Sequence, residues 1–341
     1  MLGGTETIEV VQRSMGEERA DQILGFWSAH GALEGVAARE RLAEVIAVAL
    51  DDAGEVVGVN SAHAADAPPV NRRFWGYRSF LPDGTDELRS RMFNAAFEAL
   101  SEGFDPDRPG PVGLCVKVSD PAEMERHPEA VWPAEELFFA GNLDDGSQLR
   151  IRYFWNAKIG PGPPDSPRLE DTRDADYQVG DRFRVVPFTD SGLTPGDILA
   201  LWARETAIPE VEAQKRVHEV QLVAVKRDEG LVGVSTAYIE RNPRLRMDLW
   251  NYRTFVAASQ RHSNLAGRLA LAVRDHLEQR FIGGHDTRAA GMAFEIENEG
   301  LKTYFNRALW LPLNFNFIGE NQRGDHIRVH YFPGARVPLS S

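Results

Sequence analysis

One half of this chain repeats the other at a nearly fixed distance, and that constrains its fold more than any other property. DQILGFW (Asp21 to Trp27) returns loosely as GDILALW (Gly196 to Trp202), with the two tryptophans 175 positions apart (202 − 27). The same offset of 175 pairs Val57-Gly58-Val59 with Val232-Gly233-Val234, and FWGYRSF (Phe74 to Phe80) with LWNYRTF (Leu249 to Phe255). FAGNLDDGSQLRIRYF (Phe139 to Phe154) then matches FIGENQRGDHIRVHYF (Phe317 to Phe332) at 178 (317 − 139). Solenoid repeats run to roughly 20–50 residues, so this longer period means two copies of one domain. Gly160 to Gly180, rich in proline, glycine and acidic residues, reads as the linker, which predicts domains over 1–159 and 181–341.

Each copy reads in the same element order. A short strand (Ile8 to Val11; Phe183 to Phe188) precedes helical segments, about Arg19 to Leu42 and about Pro195 to Val217. Two strands around a turn with Asp and Gly follow (Ile46 to Leu50 and Glu55 to His63; Gln221 to Lys226 and Leu231 to Ile239), then a strand bearing Trp-x-Tyr-Arg. A long helix, another strand (Pro111 to Val118; Ala289 to Glu297), a short helix and a hairpin near Asp145-Gly146 or Arg323-Gly324 complete it. The fold class expected is mixed α/β: two tandem domains, each a mixed twisted sheet with flanking helices.

The most informative segment lies in the second copy. Trp250 to Ala258 reads as a strand, and from Asn264 onward Leu265, Leu269, Ala272, Val273, His276 and Leu277 recur at helical spacing. Between them stand Gln260, Arg261, His262, Ser263 and Asn264, with the small residues Ala266 and Gly267 opening the helix. Uncovered amides at a positive helix end beside cationic side chains suit a phosphate or pyrophosphate, although an ordinary β–α turn fits the same residues.

This element order, with a phosphate-binding turn after the fourth strand, resembles the GNAT superfamily of acyl-CoA-dependent N-acyltransferases. The family's cofactor motif, Q/R-x-x-G-x-G/A, meets Gln260 and Arg261 at its start, Ala266 at the second small position, and Asn264 in place of the first glycine. Asn tolerates left-handed backbone better than most residues. A second motif, N-x-x-M/A-x-x-x-N/Y-x-x-L-G-F, finds Asn298, Leu301, Phe305 and Trp310 in NEGLKTYFNRALW. The resemblance covers nearly the whole chain as a tandem GNAT-like pair. It implies that backbone around Phe255, Val256 and Ala257 holds the pantetheine arm and thioester of acetyl-CoA, as co-substrate. Residues from Gln260 through Gly267, with Arg268, Asn298 and Phe305, would complete the cofactor site.

Only one copy looks competent. Aligned on Arg78 and Arg253, the first copy is two residues shorter in the turn and places Asp83, Asp86 and Glu87 where the second has Gln260 and Arg261. Like charges a few ångströms apart cost on the order of 1 to 4 kcal/mol each, which works against a pyrophosphate.

Amine acylation needs a base for the attacking nitrogen and an acid for the leaving thiolate. The resemblance implies a carboxylate on the fourth or fifth strand and a Tyr in the following helix. Glu295 and Glu297 lie two apart on one strand face and are the base candidates, with Asp248 as a third, unless that face meets solvent. Phe305 stands where the family's Tyr most often does, and the neighbouring Tyr304, the candidate acid, points about 100° away around a helix. The reading is an acetyl-CoA-dependent N-acetyltransferase of a small primary-amine acceptor; a non-catalytic acyl-CoA-binding protein, or a transferase with another acyl donor, stays open.

The remaining features narrow the class. Trp75, Trp250, Tyr77 and Tyr252 recur in both copies and are expected to be packing residues, while Arg241, Arg244 and Arg246 read as a solvated hairpin. A net charge of −13 argues against a nucleic-acid partner. No apolar run reaches a membrane span, the N-terminus lacks a secretory pattern, and the single Cys115 fits a core thiol, so a cytoplasmic protein is expected. The histidines show no metal-ligand spacing, so no metal is expected. The assembly is read as a monomer, an internal pseudo-dimer, or a homodimer.

Overall fold

The computed structural model describes residues 6–82, 85–160, 183–261, 263–304, 306–311 and 313–338. Asp83, His262, Phe305 and the linker from 161 lie outside them. The described residues divide into two compact units, one running to His127 and taking up Val131–Lys158, the other holding Pro128–Ala130 and the described residues from Ile159 on.

In the first unit the strands are β1 (Thr7–Val10), β2 (Val45–Leu50), β3 (Val56–Ala67), β4 (Arg72–Phe80), β5 (Gly113–Val118), β6 (Val131–Trp132), β7 (Leu137–Asn142) and β8 (Gln148–Tyr153). Its helices are α1 (Glu17–Ala29), α2 (Gly35–Leu42), α3 (Asp86–Ser101) and α4 (Pro121–Arg126). The second unit follows with β9 (Phe183–Pro187), α5 (Pro195–Arg204), α6 (Glu210–Arg216), β10 (Val220–Lys226), β11 (Gly230–Asn242) and β12 (Met247–Val256). Then come α7 (Leu265–Ile282), β13 (Gly291–Ile296), α8 (Glu299–Tyr304), β14 (Leu309–Trp310), β15 (Phe315–Glu320) and β16 (His326–Tyr331).

The sheets have one topology, β1-β2-β3-β4-β5-β8-β7-β6 and β9-β10-β11-β12-β13-β16-β15-β14. Within each, only β4 with β5, and β12 with β13, run parallel. The expected class, mixed α/β in two tandem copies, each a mixed sheet with flanking helices, is therefore the observed one. The helical segments resolve into two helices in each copy, with Gly31 and Gly35, and in the second copy Thr206 and Pro209, at the breaks between them. Among the described residues no helix is long and apolar enough to cross a membrane.

The duplication reaches into the packing. Asn60 is fully buried and staples a bulge of β2, accepting from Ala47 N–H at 2.8 Å; Ser235, 175 positions on, accepts from Leu222 N–H at 3.2 Å at the matching bulge. Arg150 and Arg328 are both 0% exposed, and their guanidinium carbons lie 4.1 Å and 4.9 Å from the ring centres of Trp132 and Trp310. Arg328 donates to the carbonyls of Ala308 and Arg307, so its charge is surrounded by acceptors. Trp250 and Tyr252 are buried against Val273, Leu277 and Met292, the packing role expected of them. Cys115 is buried, and desolvation pushes its thiol up to about 12, which makes it inert.

α7 lies on the second sheet because Leu265, Leu269, Ala270, Val273 and Leu277 form one buried stripe. Each such leucine contributes roughly 1.5–3 kcal/mol on full burial. A polar tie adds to the stripe: His330 Nε2 lies 2.6 Å from Glu278 Oε2, and its Nδ1 lies 3.0 Å from Asn314 O. The His330 hydrogen bond holds the Glu278 carboxyl below its ordinary value of 4.5. A depressed carboxylate adds stability that is complete above the unfolded value and disappears as pH falls through the folded one. Thermal melts taken down from about pH 6 to about pH 3 should show wild type losing more stability than Glu278→Gln. Equal losses would remove this pair from the acid response.

Candidate functional site

The site begins where two strands part. β12 and β13 pair at only two positions, Trp250 with Met292 and Asn251 with Ala293, although β12 continues to Val256 and β13 to Ile296. Ala290 N–H donates to Asp248 C=O at 2.9 Å, so even-numbered residues of β12 turn their backbone groups towards β13. Ala257 N–H donates to Val232 C=O at 2.8 Å, so odd-numbered ones turn towards β11. The open edge is therefore made by Thr254 and Val256. Of the three residues expected there, Val256 faces the gap, whereas Phe255 and Ala257 are turned to β11.

Beyond the open edge the chain makes a 3-10 turn, Ala258–Gln260, and enters α7 through Asn264 at φ 56 and ψ 17. That left-handed residue takes the place of the missing glycine in turning the chain into α7. α7 has no side-chain cap and no acidic residue in its first turn. Its opening amides, on Leu265, Ala266 and Gly267, precede the first intrahelical bond, Arg268 N–H to Asn264 C=O at 3.2 Å, and point out of the helix end. Arg261 is exposed beside them, and the Nε of Arg268 is buried with no hydrogen-bond partner among the described residues.

Other expected cofactor residues have their side chains committed within the protein. Gln260 is 7% exposed and its Nε2 donates to Glu229 Oε2 at 2.8 Å. Ser263 gives its hydroxyl and amide to Gln260 C=O at 2.6 Å and 3.0 Å. Leu265 has its side chain in the core, leaving only its amide. Asn298 accepts from Leu301 N–H at 3.0 Å and so caps α8. These residues shape the turn and the helix from inside. Sequence spacing shows position along the chain but not which way a side chain turns.

The first unit keeps the parting of the strands and loses the turn. β4 and β5 also pair at only two positions, Trp75 with Leu114 and Gly76 with Cys115. α3, however, is capped by Thr85, which accepts from Leu88 N–H at 3.2 Å, and it carries Asp86 and Glu87 in its first turn. Its positive end is already neutralised.

Of the base candidates, Glu295 lies near the end of β13 and Glu297 just beyond it, both exposed. Arg323 Nη2, in the β15–β16 turn, stands 3.3 Å from Glu295 and 3.5 Å from Glu297, and Asn321 Nδ2 donates to Glu295 at 3.0 Å. Asp248 is paired with Arg241 at 3.3 Å. Tyr304 ends α8. The reading of Arg244 as solvated is corrected: it is half-buried and donates to Ile318 C=O at 2.6 Å and Glu320 C=O at 3.0 Å, tying the β11–β12 hairpin to β15.

No family model matches this chain, and no curated protein matches it. Solved structures do. One is an acetyltransferase of GNAT family from Streptococcus pneumoniae, 10% identical over 44% of this chain and 99% of that one, with a TM-score of 0.31. A second is a ribosomal-protein-S5-alanine acetyltransferase from Vibrio fischeri, 13% identical over 47% and 98%, TM-score 0.32. A third is a toxin, AtaT, bound to the C-terminus of its antitoxin and acetyl-CoA, 12% identical over 45% and 94%, TM-score 0.31. The chain is thus similar, over a little under half its length, to structures described as GNAT-family and other acetyltransferases.

Proposed function

We propose that this protein is an acetyl-CoA-dependent N-acetyltransferase of a small primary amine, with the chemistry in the second unit. The observation that carries the reading is the contrast between the two copies. An open strand edge leads into an uncapped, acid-free helix end at α7, and into a capped, acidic one at α3.

The residues present fit the co-substrate. Thr254 and Val256 offer backbone groups to an extended amide-bearing arm, and the α7 amides with Arg261 and Arg268 suit a pyrophosphate, Arg268 bringing a buried donor without a protein acceptor among the described residues. When bound, acetyl-CoA supplies an activated acetyl thioester. The amine nitrogen bonds to the acetyl carbon, the C–S bond breaks, the nitrogen's proton leaves to a base and the thiolate takes one up. Glu295 or Glu297, through water, is the base in this reading, and no dedicated acid is required.

Turnover of acetyl-CoA with a panel of amines, followed by release of free thiol, tests the proposal, since release requires chemistry. Tyr304→Phe should cost less than tenfold in kcat, about 1.4 kcal/mol or less. A loss of a hundredfold would identify Tyr304 as the acid instead. The second reading, a non-catalytic acyl-CoA-binding protein, is favoured by one feature: both candidate bases are ion-paired with Arg323. Stoichiometric binding without thiol release across the panel would establish it.

A further inference from the structure

We infer that Glu205 is a positioning residue that clamps the turn before α7 and so presets the cofactor amides; this rests on the acyl-CoA reading of the second unit. Glu205 caps the C-terminus of α5, 53 residues from the turn, and its Oε2 accepts from Ala258 N–H at 3.0 Å. Its side chain is 17% exposed. Ala258 is the first residue of the 3-10 turn and brings an amide with no acceptor inside that turn. From the other side Glu229, in the β10–β11 turn, accepts from Ser259 Oγ at 3.1 Å and from Gln260 Nε2 at 2.8 Å. A hydrogen bond from Lys226 holds the Glu229 carboxyl below its ordinary value. All three residues of the turn are thus gripped by two carboxylates from different elements.

The backbone shows what this placement requires. Thr206, directly after Glu205, has φ 48, a left-handed conformation that a β-branched residue adopts only under constraint. The first copy has Gly31 at the matching position, with φ 62. There the residue before it is His30, whose Nδ1 turns back to Phe26 C=O at 2.9 Å. The copy whose helix end is capped has a glycine at that position and a histidine, not a carboxylate, before it. In the copy with the open helix end, the carboxylate is present and the loop that aims it is strained.

The consequence is mechanical. A charge-assisted bond at the start of the turn, continued by the two bonds to Glu229, fixes the direction in which the chain leaves β12 and enters α7. A carboxylate so near a pyrophosphate site repels an anion, so what Glu205 contributes there is the geometry it imposes on the turn.

The test compares Glu205→Ala with Glu205→Gln, which keeps an acceptor oxygen. Backbone hydrogen exchange across Ala258–Gly267 in the ligand-free protein should speed up by about tenfold in the Ala variant and by less than about threefold in the Gln variant. The Kd for CoA should rise about tenfold with Ala, with KM for the acyl donor rising and kcat held, and return to within about threefold with Gln. Unchanged exchange in the Ala variant, or CoA binding as tight as wild type or tighter, would overturn the clamp. If wild type binds no CoA, the functional reading fails, and the exchange measurement still decides whether Glu205 holds the turn.

Discussion

Arg261→Glu is expected to lower affinity for CoA by about a hundredfold, and wild type is expected to bind one CoA per chain. A reversed charge beside a pyrophosphate at about 5 Å changes the Coulomb term by several kcal/mol even at a surface dielectric of about 20. Screening at an exposed site reduces that to about 2.7 kcal/mol, the equivalent of a hundredfold. Arg261 can be reversed without structural damage, since it is exposed and lies outside the core stripe of α7. Asp86→Ala, at the first turn of α3, should leave binding unchanged. Calorimetric titration measures both variants and the stoichiometry together, and two equivalent sites per chain would overturn the assignment to the second unit.

Gly291→Ala is expected to unfold the second unit, at about 3 kcal/mol or more. A Cβ on Gly291 would lie 2.3 Å from His330 O and 3.0 Å from Tyr331 Cα, both main chain, so no rotamer change relieves it. β13 and β16 approach closely there, as β5 and β8 do at Gly113, where a Cβ would meet Arg152 O at 2.1 Å. The comparison is Gly25→Ala within α1, where a Cβ meets nothing within 4 Å. That change should add about 0.5–1 kcal/mol through helix propensity. Denaturant melts giving similar stabilities for the two variants would show that the strand approach has slack.

Much of the fold was legible because it is written twice. Matching Val-Gly-Val and Trp-x-Tyr-Arg at one offset forces two equivalent sheets, and alternating apolar residues locate their strands. The turn into α7 was legible for another reason: Asn264 tolerates the left-handed backbone that a glycine would otherwise supply there. Other features escaped because they depend on contacts between distant positions. Nothing around Glu205 refers to Ala258, and nothing in the spacing of Gln260 and Ser263 shows that they face inward. The burial of Arg328 is equally silent, since an isolated arginine in a strand normally reads as a surface residue. Its repetition as Arg150, 178 positions earlier, is a usable signal for it.

The parting of β12 from β13 has a consequence for how this protein can change over time. An unpaired row of amides and carbonyls in the middle of a sheet offers an extended chain the hydrogen bonds of a neighbouring strand. Whatever docks there is read through main-chain groups that every residue type carries. Substitutions at Thr254 or Val256 that preserve the strand and its packing would leave that recognition intact, since the groups that face the gap belong to the main chain. An open edge of this kind resides in backbone shape, which comparison of letters alone does not register.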